Sequence, residues 1–125
     1  MSRLFVYLVV AIFCITKTLA QSESFYFTQL SDPQFGMLEK NKSFSQETMI
    51  MEKVIAAINN LNPAFVVITG DMVNDGKDQK QIDEFKRVCK LIKKSIPVYV
   101  LPGNHDLSQQ CTDESISNYM DEYGY

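Results

Sequence analysis

The sequence predicts an α/β fold with the element order β-α-β-α-β-α. Three short apolar segments, residues 25–30, 64–69 and 98–101, have the length and composition of strands. Segments with helical periodicity separate them, and each crossover is long enough to join parallel strands. With 125 residues, the chain is expected to form one domain.

The composition is that of an ordinary globular protein. Hydrophobic residues make up 46% of the chain and charged residues 22%. Arg3 and Lys17 lie in an N-terminal segment that we expect to be removed, which leaves 10 basic residues against 15 acidic ones. The resulting net charge of −5 argues against binding to nucleic acid. Nothing in the sequence fixes an oligomeric state.

Residues 1–20 have the pattern of a secretory signal peptide. Arg3 provides a positive start, and Leu4–Ile15 is an apolar run of 12 residues. Thr18-Leu19-Ala20 places small residues at the positions that a signal peptidase recognises, so we expect cleavage before Gln21. The mature protein would then be secreted or extracytoplasmic. The run is shorter than the roughly 20 residues of a stable membrane span. A retained amphiphilic anchor is the alternative.

Two cysteines, Cys89 and Cys111, remain after that segment is removed. In an oxidising compartment they could form a disulfide. Alternatively, Cys89 is a small buried hydrophobe, because it lies on an apolar helical stripe. The other members of this stripe are Ile82, Phe85, Val88 and Ile92.

The first predicted strand, residues 25–30, is rich in aromatic residues. It ends before Asp32-Pro33, because proline cannot continue a strand ladder. A helix is predicted over residues 45–61, where apolar residues recur at spacings of three and four, and Ser43 or Ser45 can cap it. The predicted apolar face comprises Met51, Val54, Ile55, Ile58 and Leu61.

The second predicted strand, residues 64–69, is continuously apolar, which is typical of a strand covered on both faces. The next helix is predicted over residues 78–94, with Asp78 as its cap. Its last turns carry cations that either complement the helix dipole or form a patch for a phosphate or a partner. These cations are Lys86, Arg87, Lys90, Lys93 and Lys94.

The last pair of elements follows a short lead-in at Ser95-Ile96-Pro97. The third strand is predicted over residues 98–101. A third helix is predicted over residues 112–123, with Thr112 or Asp113 as its cap.

A polar side chain follows each predicted strand: Asp32 the first, Asp71 the second and Asn104 the third. Right-handed crossovers between parallel strands place these residues at one edge of the sheet. Together with Gln34 they form a cluster of oxygen donors that suits a hard divalent cation. A cleft that hydrogen-bonds a substrate and simple capping of the loops are the alternatives.

His105 is the only histidine in the chain, and it directly follows Asn104. An imidazole can protonate a leaving alkoxide near neutral pH. It would complement cations that polarise a phosphate and lower the pKa of a bound water. The alternative is an ordinary surface or core histidine.

Three segments resemble the first three motifs of the calcineurin-like metallophosphoesterases. They are Asp32-Pro33-Gln34, Gly70-Asp71-Met72-Val73-Asn74 and Gly103-Asn104-His105-Asp106. The stretch 29–36 is most similar to the stand-alone calcineurin-like phosphoesterase domain-containing protein phosphatases. The resemblance covers residues 25–106 and implies a metal-dependent phosphoester hydrolase. It leaves a phosphatase, including a protein serine/threonine phosphatase, and a phosphodiesterase as options.

The resemblance also implies a fold and a site. The predicted elements would be half of a metallophosphoesterase-type α/β/β/α sandwich, with two divalent metal ions (Mn, Fe, Zn or Mg) and a phosphorylated substrate. Asp32 and Gln34 would bind the first metal, Asn104 the second, and Asp71 both. His105 would hydrogen-bond a phosphoryl oxygen or protonate the leaving group.

The sequence departs from the family pattern at three places. Gln34 stands where the family usually has histidine, which changes the affinity or the metal preference of the first site. Asn74 stands where some members have an acid that orients the catalytic histidine, and Asp75 or Asp106 could take that role. No histidine follows His105 to supply the later metal-binding motifs.

The missing motifs lead us to expect that residues 21–125 are the N-terminal part of a calcineurin-like phosphoesterase domain. Such a truncated piece would leave apolar sheet faces and an edge uncovered and would lack full activity. The alternative is a non-catalytic module with a partial metal site that binds a partner.

Overall fold

The computed structural model describes residues 24–124. In this range, three strands alternate with three helices, which confirms the predicted α/β order. They are β1 (Thr28–Ser31), α1 (Ser45–Leu61), β2 (Val66–Gly70), α2 (Gln79–Cys89), β3 (Val98–Pro102) and α3 (Asp113–Tyr123). None of these helices is long and apolar enough to cross a membrane. The predicted signal peptide, residues 1–20, lies outside the described residues.

The three strands form one parallel sheet in the order β1-β2-β3, so β2 is central. Val66 and Ile68 of β2 are fully buried, and they join the core together with Ile55 of α1 and Phe85 of α2. In the register of the sheet, Ile68 pairs with Leu30 of β1. This face of the sheet is therefore the one that the helices cover.

The opposite face of the sheet is open in the described residues. Val67 and Thr69 of β2 are only half-buried there, so the prediction that this strand is covered on both faces is wrong. Their partners in β3, Tyr99 and Leu101, are 52% and 54% exposed. The predicted uncovered apolar face is thus present. We call it the open face, defined by Val67, Thr69, Tyr99 and Leu101.

The strand β1 begins three residues later than predicted, at Thr28. Thr28 pairs with Val66, the first residue of β2, so the regular ladder starts where both strands are present. Before that point, the Phe27 ring stacks on Phe65 with centroids 4.9 Å apart. The aromatic residues at the start of the segment therefore make side-chain contacts outside the regular strand.

The helix α1 has the predicted bounds, but its details differ from the prediction. Met51, Ile55 and Ile58 are buried as expected, whereas Leu61 is exposed, because the helix ends there at a left-handed Asn62. The residue at the cap position is Phe44, and its side chain makes no cap hydrogen bond. The Ser43 hydroxyl accepts a hydrogen bond from the Ser45 N–H at 3.2 Å, so Ser43 supports the start of the helix from outside the cap position. Ser45 is the first helical residue rather than the cap.

The helix α2 begins as predicted, with the Asp78 side chain accepting a hydrogen bond from the Lys80 N–H at 3.0 Å. It ends five residues earlier than predicted, at Cys89. The chain then tightens, and the Leu91 and Ile92 amides bond to carbonyls three residues back. This turn directs the buried Ile92 into the core, which explains the early end.

The basic residues of α2 are partly paired with acids. Arg87 forms ion pairs with Glu84 and Glu52, and Lys86 pairs with Glu122 of α3. Lys86 and Arg87 lie in the last turn, where cations also complement the helix dipole. These two residues thus fit the dipole interpretation better than a phosphate-binding patch.

The helix α3 is capped by Thr112, one of the two predicted caps. The Thr112 hydroxyl accepts from the Ser115 N–H at 3.1 Å, and the Ser115 hydroxyl accepts from the Thr112 N–H at 2.9 Å. Tyr119 is buried against the core, and Tyr123 packs edge-on to Phe85. The helix is therefore docked on α2 by aromatic side chains.

The two described cysteines are free thiols. Cys89 is half-buried beside the core, and burial raises its pKa to about 12. Cys111 is exposed. The structure therefore agrees with the hydrophobe interpretation of Cys89 and shows no disulfide between the pair.

We predict that Cys111 reacts with Ellman's reagent at least about a hundredfold faster than Cys89, because only the thiolate attacks and burial suppresses it. The measurement compares Cys89→Ser and Cys111→Ser variants in a Cys14→Ser background, folded and in denaturant. Equal rates in the folded state would contradict the burial of Cys89.

Candidate functional site

The predicted site residues lie at one edge of the parallel sheet. Asp32 directly follows β1 and Asp71 directly follows β2, while Asn104 and His105 follow β3 after one glycine. Pairing continues past the strands as a bridge between residues 35 and 73. The predicted convergence at this edge follows from the strand order and the parallel register.

Asp32 is held against Asp71 by the backbone. Its Oδ1 accepts a hydrogen bond from the Asp71 N–H at 3.2 Å, and the Ser31 hydroxyl donates to its other oxygen. These two bonds, that of Ser31 above all, lower the pKa of Asp32. Gly70 is necessary here, because an added Cβ would lie 2.8 Å from Asp32 Cγ and the residue has a φ of +80°.

Asp71 links the loops that follow β2 and β3. Its side chain is buried, and its Oδ1 accepts a hydrogen bond from the His105 N–H at 2.8 Å. A Cβ on Gly103 would overlap Asp71 Oδ1 and would lie 2.7 Å from the Asp71 nitrogen. The close approach of these two loops therefore requires glycine at position 103.

His105 is oriented by a backbone carbonyl rather than by an acid. Its Nδ1 lies 2.7 Å from the carbonyl oxygen of Asn74. A carbonyl only accepts, so Nδ1 carries a proton and Nε2 is the ring atom left for a ligand. The proposed orienting roles of Asp75 and Asp106 are wrong, because those carboxylates bond to backbone amides.

The side chain of Asn74 joins the site to a neighbouring turn. Its Oδ1 accepts from Gln34 Nε2 at 3.2 Å, and its Nδ2 donates to Asn41 Oδ1 at 2.7 Å. Asn104 is tied to Gln109 through its Nδ2 at 2.6 Å, rather than to either aspartate. In Gln34 and Asn104 the amide nitrogen makes the bond, and the oxygen is the atom that a cation would use.

Asp106 is a structural residue of the site that the sequence did not reveal as such. Its carboxylate accepts hydrogen bonds from the N–H groups of Met72, Val73 and Gly103 at 2.9–3.2 Å. Burial nevertheless raises its pKa to about 6, against the effect of these bonds. Its place in the third motif was a signal, but its bonding partners are loop amides that no spacing identifies.

Gln81 of α2 was also missed. It is 1% exposed, and its Oε1 accepts from the Asn74 and Asp75 N–H groups, both at 3.0 Å. Its Nε2 donates to Asn41 Oδ1 and Asp78 Oδ2. Gln81 thus holds the loop that carries the Asn74 carbonyl, and no sequence pattern marks it, since glutamine is common on helices.

The chemistry of these donors fits a hard divalent cation. The Asp32 carboxylate bonds to the backbone N–H of Asp71, so two acidic residues lie at adjacent strand ends, and Gln34 and Asn104 supply amide oxygens. In residues 24–124, no group of three or more His, Cys, Asp or Glu side chains is arranged to hold a metal ion. The donor set therefore depends on the two amides as well as on the two acids.

We predict that Gly103→Ala destabilises the protein by about 1–3 kcal/mol, because the new methyl group would force Asp71 away from the loop. Urea unfolding of the full chain measures the loss. Gly124→Ala is the control, since a Cβ there meets nothing within 4 Å, although its positive φ causes a smaller loss. A Gly103→Ala variant as stable as wild type would contradict the described packing.

The sequence of this chain is similar to those of known proteins. The family model for calcineurin-like phosphoesterases matches residues 25–125. The serine/threonine-protein phosphatase CPPED1 of Rattus norvegicus is 32% identical in an alignment of 115 positions that covers 80% of this chain and 37% of that protein. CPPED1 of Homo sapiens is 31% identical, with the same shares covered.

A probable glycerophosphodiester phosphodiesterase, GpdQ of Arcobacter nitrofigilis, is 36% identical in an alignment of 73 positions that covers 57% of this chain and 24% of that protein. No solved structure matches the chain significantly. The chain spans about 37% of the length of the CPPED1 relatives that it matches. The family model nevertheless covers most of the chain, and the chain belongs to the calcineurin-like phosphoesterase family.

Proposed function

We propose that the protein is a metal-dependent phosphoester hydrolase. The observation that carries this proposal is the meeting of Asp32 and Asp71 at one sheet edge, with His105 anchored beside them through Nδ1. Backbone hydrogen bonds hold all three residues, so the site is organised before a ligand arrives. Such preorganisation is what catalysis of a charged substrate requires.

Four side chains of this protein would bind the cations. Asp32 and Gln34 would hold the first divalent cation, Asn104 the second, and Asp71 both. When bound, such cations polarise a phosphoryl group and lower the pKa of a bound water. The amide of Gln34 favours hard ions such as Mn²⁺ or Mg²⁺ over softer ones.

His105 would act on the substrate through Nε2. The Asn74 carbonyl accepts a hydrogen bond from Nδ1–H, so the imidazolium form can donate its other proton from Nε2. That proton either hydrogen-bonds a phosphoryl oxygen or passes to the leaving alkoxide. Since Gln81 positions the Asn74 amide, it supports His105 without touching the substrate.

A phosphorylated protein is the substrate that we propose first, because the CPPED1 relatives are named serine/threonine-protein phosphatases. A phosphodiester is the second candidate, which the name of the GpdQ relative supports. A non-catalytic module that binds one cation and a partner is the third.

We predict that the full-length protein hydrolyses p-nitrophenyl phosphate with added Mn²⁺, and that a chelator stops turnover. Asp71→Asn or His105→Ala should lower kcat at least about tenfold, because each removes a group that acts in the transition state. Asp121→Asn, an exposed substitution of the same type on α3, should leave kcat unchanged.

Absence of turnover with several phosphoesters would contradict the hydrolase. Calorimetric titration with Mn²⁺ then identifies the binding module, for which we expect one weakly bound ion at most. Strong binding of two ions without turnover would contradict both proposals.

We further propose that residues 1–20 are a signal peptide and that the protein is secreted. Leu4–Ile15 supports this as an apolar segment after Arg3. Expression in a eukaryotic host should place the protein in the medium with Gln21 at its N-terminus, as read by mass spectrometry. Val9→Arg, which breaks the apolar run, should retain it in the cell. A product that keeps Met1 would contradict cleavage.

A further inference from the structure

A groove of about 290 Å³ lies beside the strand-end site. Asp32 and Gln34 are among its lining residues, so the groove is continuous with the candidate metal site. Its other walls come from the end of β1, from the segment that follows it and from α1. They are mainly apolar and include Leu30, Met37, Leu38, Ile50, Met51 and Val54.

Glu47 is the polar exception on the α1 side of this groove. Its side chain is only 5% exposed. One oxygen, Oε1, accepts a hydrogen bond from the Leu38 N–H at 2.8 Å. The other oxygen, Oε2, is buried and has no hydrogen-bond partner among the described residues. A buried carboxylate oxygen that lacks a donor is costly, so this atom favours a ligand that supplies one.

The charges around the groove are unbalanced. Its described lining contains two carboxylates, those of Asp32 and Glu47, and no lysine or arginine. The ion pairs of residues 24–124 lie elsewhere, on α2 and its neighbours. Asp32 belongs to the candidate metal site, where a cation would balance its charge. Glu47 has no such counter-ion among the described residues that line the groove.

We propose that this groove is a substrate subsite for an alkyl cation, an ammonium or guanidinium group on an aliphatic stem. The stem would lie along the apolar walls, and the cationic head would donate to Glu47 Oε2. The source that we assign is a lysine or arginine close to the phosphorylated residue of a peptide. This inference rests on the proposed phosphoester hydrolase and adds the substrate's second recognition element.

Binding requires a small rearrangement, because Oε2 is closed to solvent. Met37, Leu38 and Ile50 are each more than half exposed, so their side chains have room to move. Glu47 also has a structural role, but it uses only Oε1. Glu47→Gln keeps an acceptor for the Leu38 N–H and removes the charge, which separates the two roles.

The first test measures binding without catalysis. The full-length protein is titrated with n-butylguanidinium and with its neutral isostere n-butylurea, and amide shifts are followed by NMR. We expect the cation to bind roughly tenfold or more tightly than the urea, and Glu47→Gln to abolish the difference. Glu114→Gln, the same charge change at an exposed position on α3, should preserve it. Equal binding of both probes to the wild type would overturn the proposal.

Ile50→Arg provides a second variant should Glu47→Gln fail to fold. It places a guanidinium one helical turn from Glu47, where it should occupy the subsite and block n-butylguanidinium. Unchanged binding of the probe to this variant would also overturn the proposal.

The second test identifies the source of the cation. Phosphoserine peptides carry one arginine at each position within three residues of the phosphoserine, and matched peptides carry neutral citrulline. We expect kcat/KM to favour arginine roughly tenfold at one position or more, and this preference to vanish in Glu47→Gln. Phosphoethanolamine and its neutral analogue ethyl phosphate are compared in the same way. If Glu47 raises kcat/KM for phosphoethanolamine but not for the arginine peptides, the assignment to a peptide is overturned.

Different experimental results would contradict the subsite and the proposed hydrolase. Absence of p-nitrophenyl phosphate turnover would contradict the hydrolase, while the NMR titration would still decide whether the subsite exists. Turnover without discrimination between arginine and citrulline would contradict the subsite alone.

Discussion

The site depends on the hydrogen bonds that the buried carboxylate of Asp106 accepts. It accepts hydrogen bonds from the loop after β2 and from the loop after β3, and so ties the two strand ends together. Asp71 directly precedes Met72 and His105 directly precedes Asp106, so both lie next to this junction in the sequence. Without Asp106, the buried amides of Met72 and Val73 and the half-buried amide of Gly103 would lose their acceptor. A buried donor without a partner costs about 1–3 kcal/mol. The catalytic candidates are thus positioned by a carboxylate whose bonds go to backbone amides.

The same junction explains why several polar groups can be crowded at one sheet edge. Asp32 and Asp71 carry like charges, yet backbone amides stabilise each of them. The φ angle of Asp32 is 51° and that of Gln34 is 37°, conformations that are unusual for residues other than glycine. Strained positions of this kind persist when surrounding contacts hold them, and they are frequent at functional sites.

The sequence predicted the order of all six elements and the edge at which the polar residues meet. Periodicity and strand composition are local signals, and α1 kept its predicted bounds because its apolar face is continuous. The misses concern contacts between distant residues. The early end of α2 depends on where Ile92 packs, and the orientation of His105 depends on a carbonyl of Asn74 that Gln81 positions. Such bonds involve the backbone, which has no signature in the sequence.

The open face has a consequence for the behaviour of the polypeptide in solution. In residues 24–124, β3 pairs with β2 alone, so it is an edge strand of the described sheet. Tyr99 and Leu101 add exposed apolar side chains to this strand. An edge of this type is a template on which another strand can add, and neither proline nor a charged residue interrupts it before Pro102. The edge at β3 is therefore the part of the described segment that intermolecular strand addition would use.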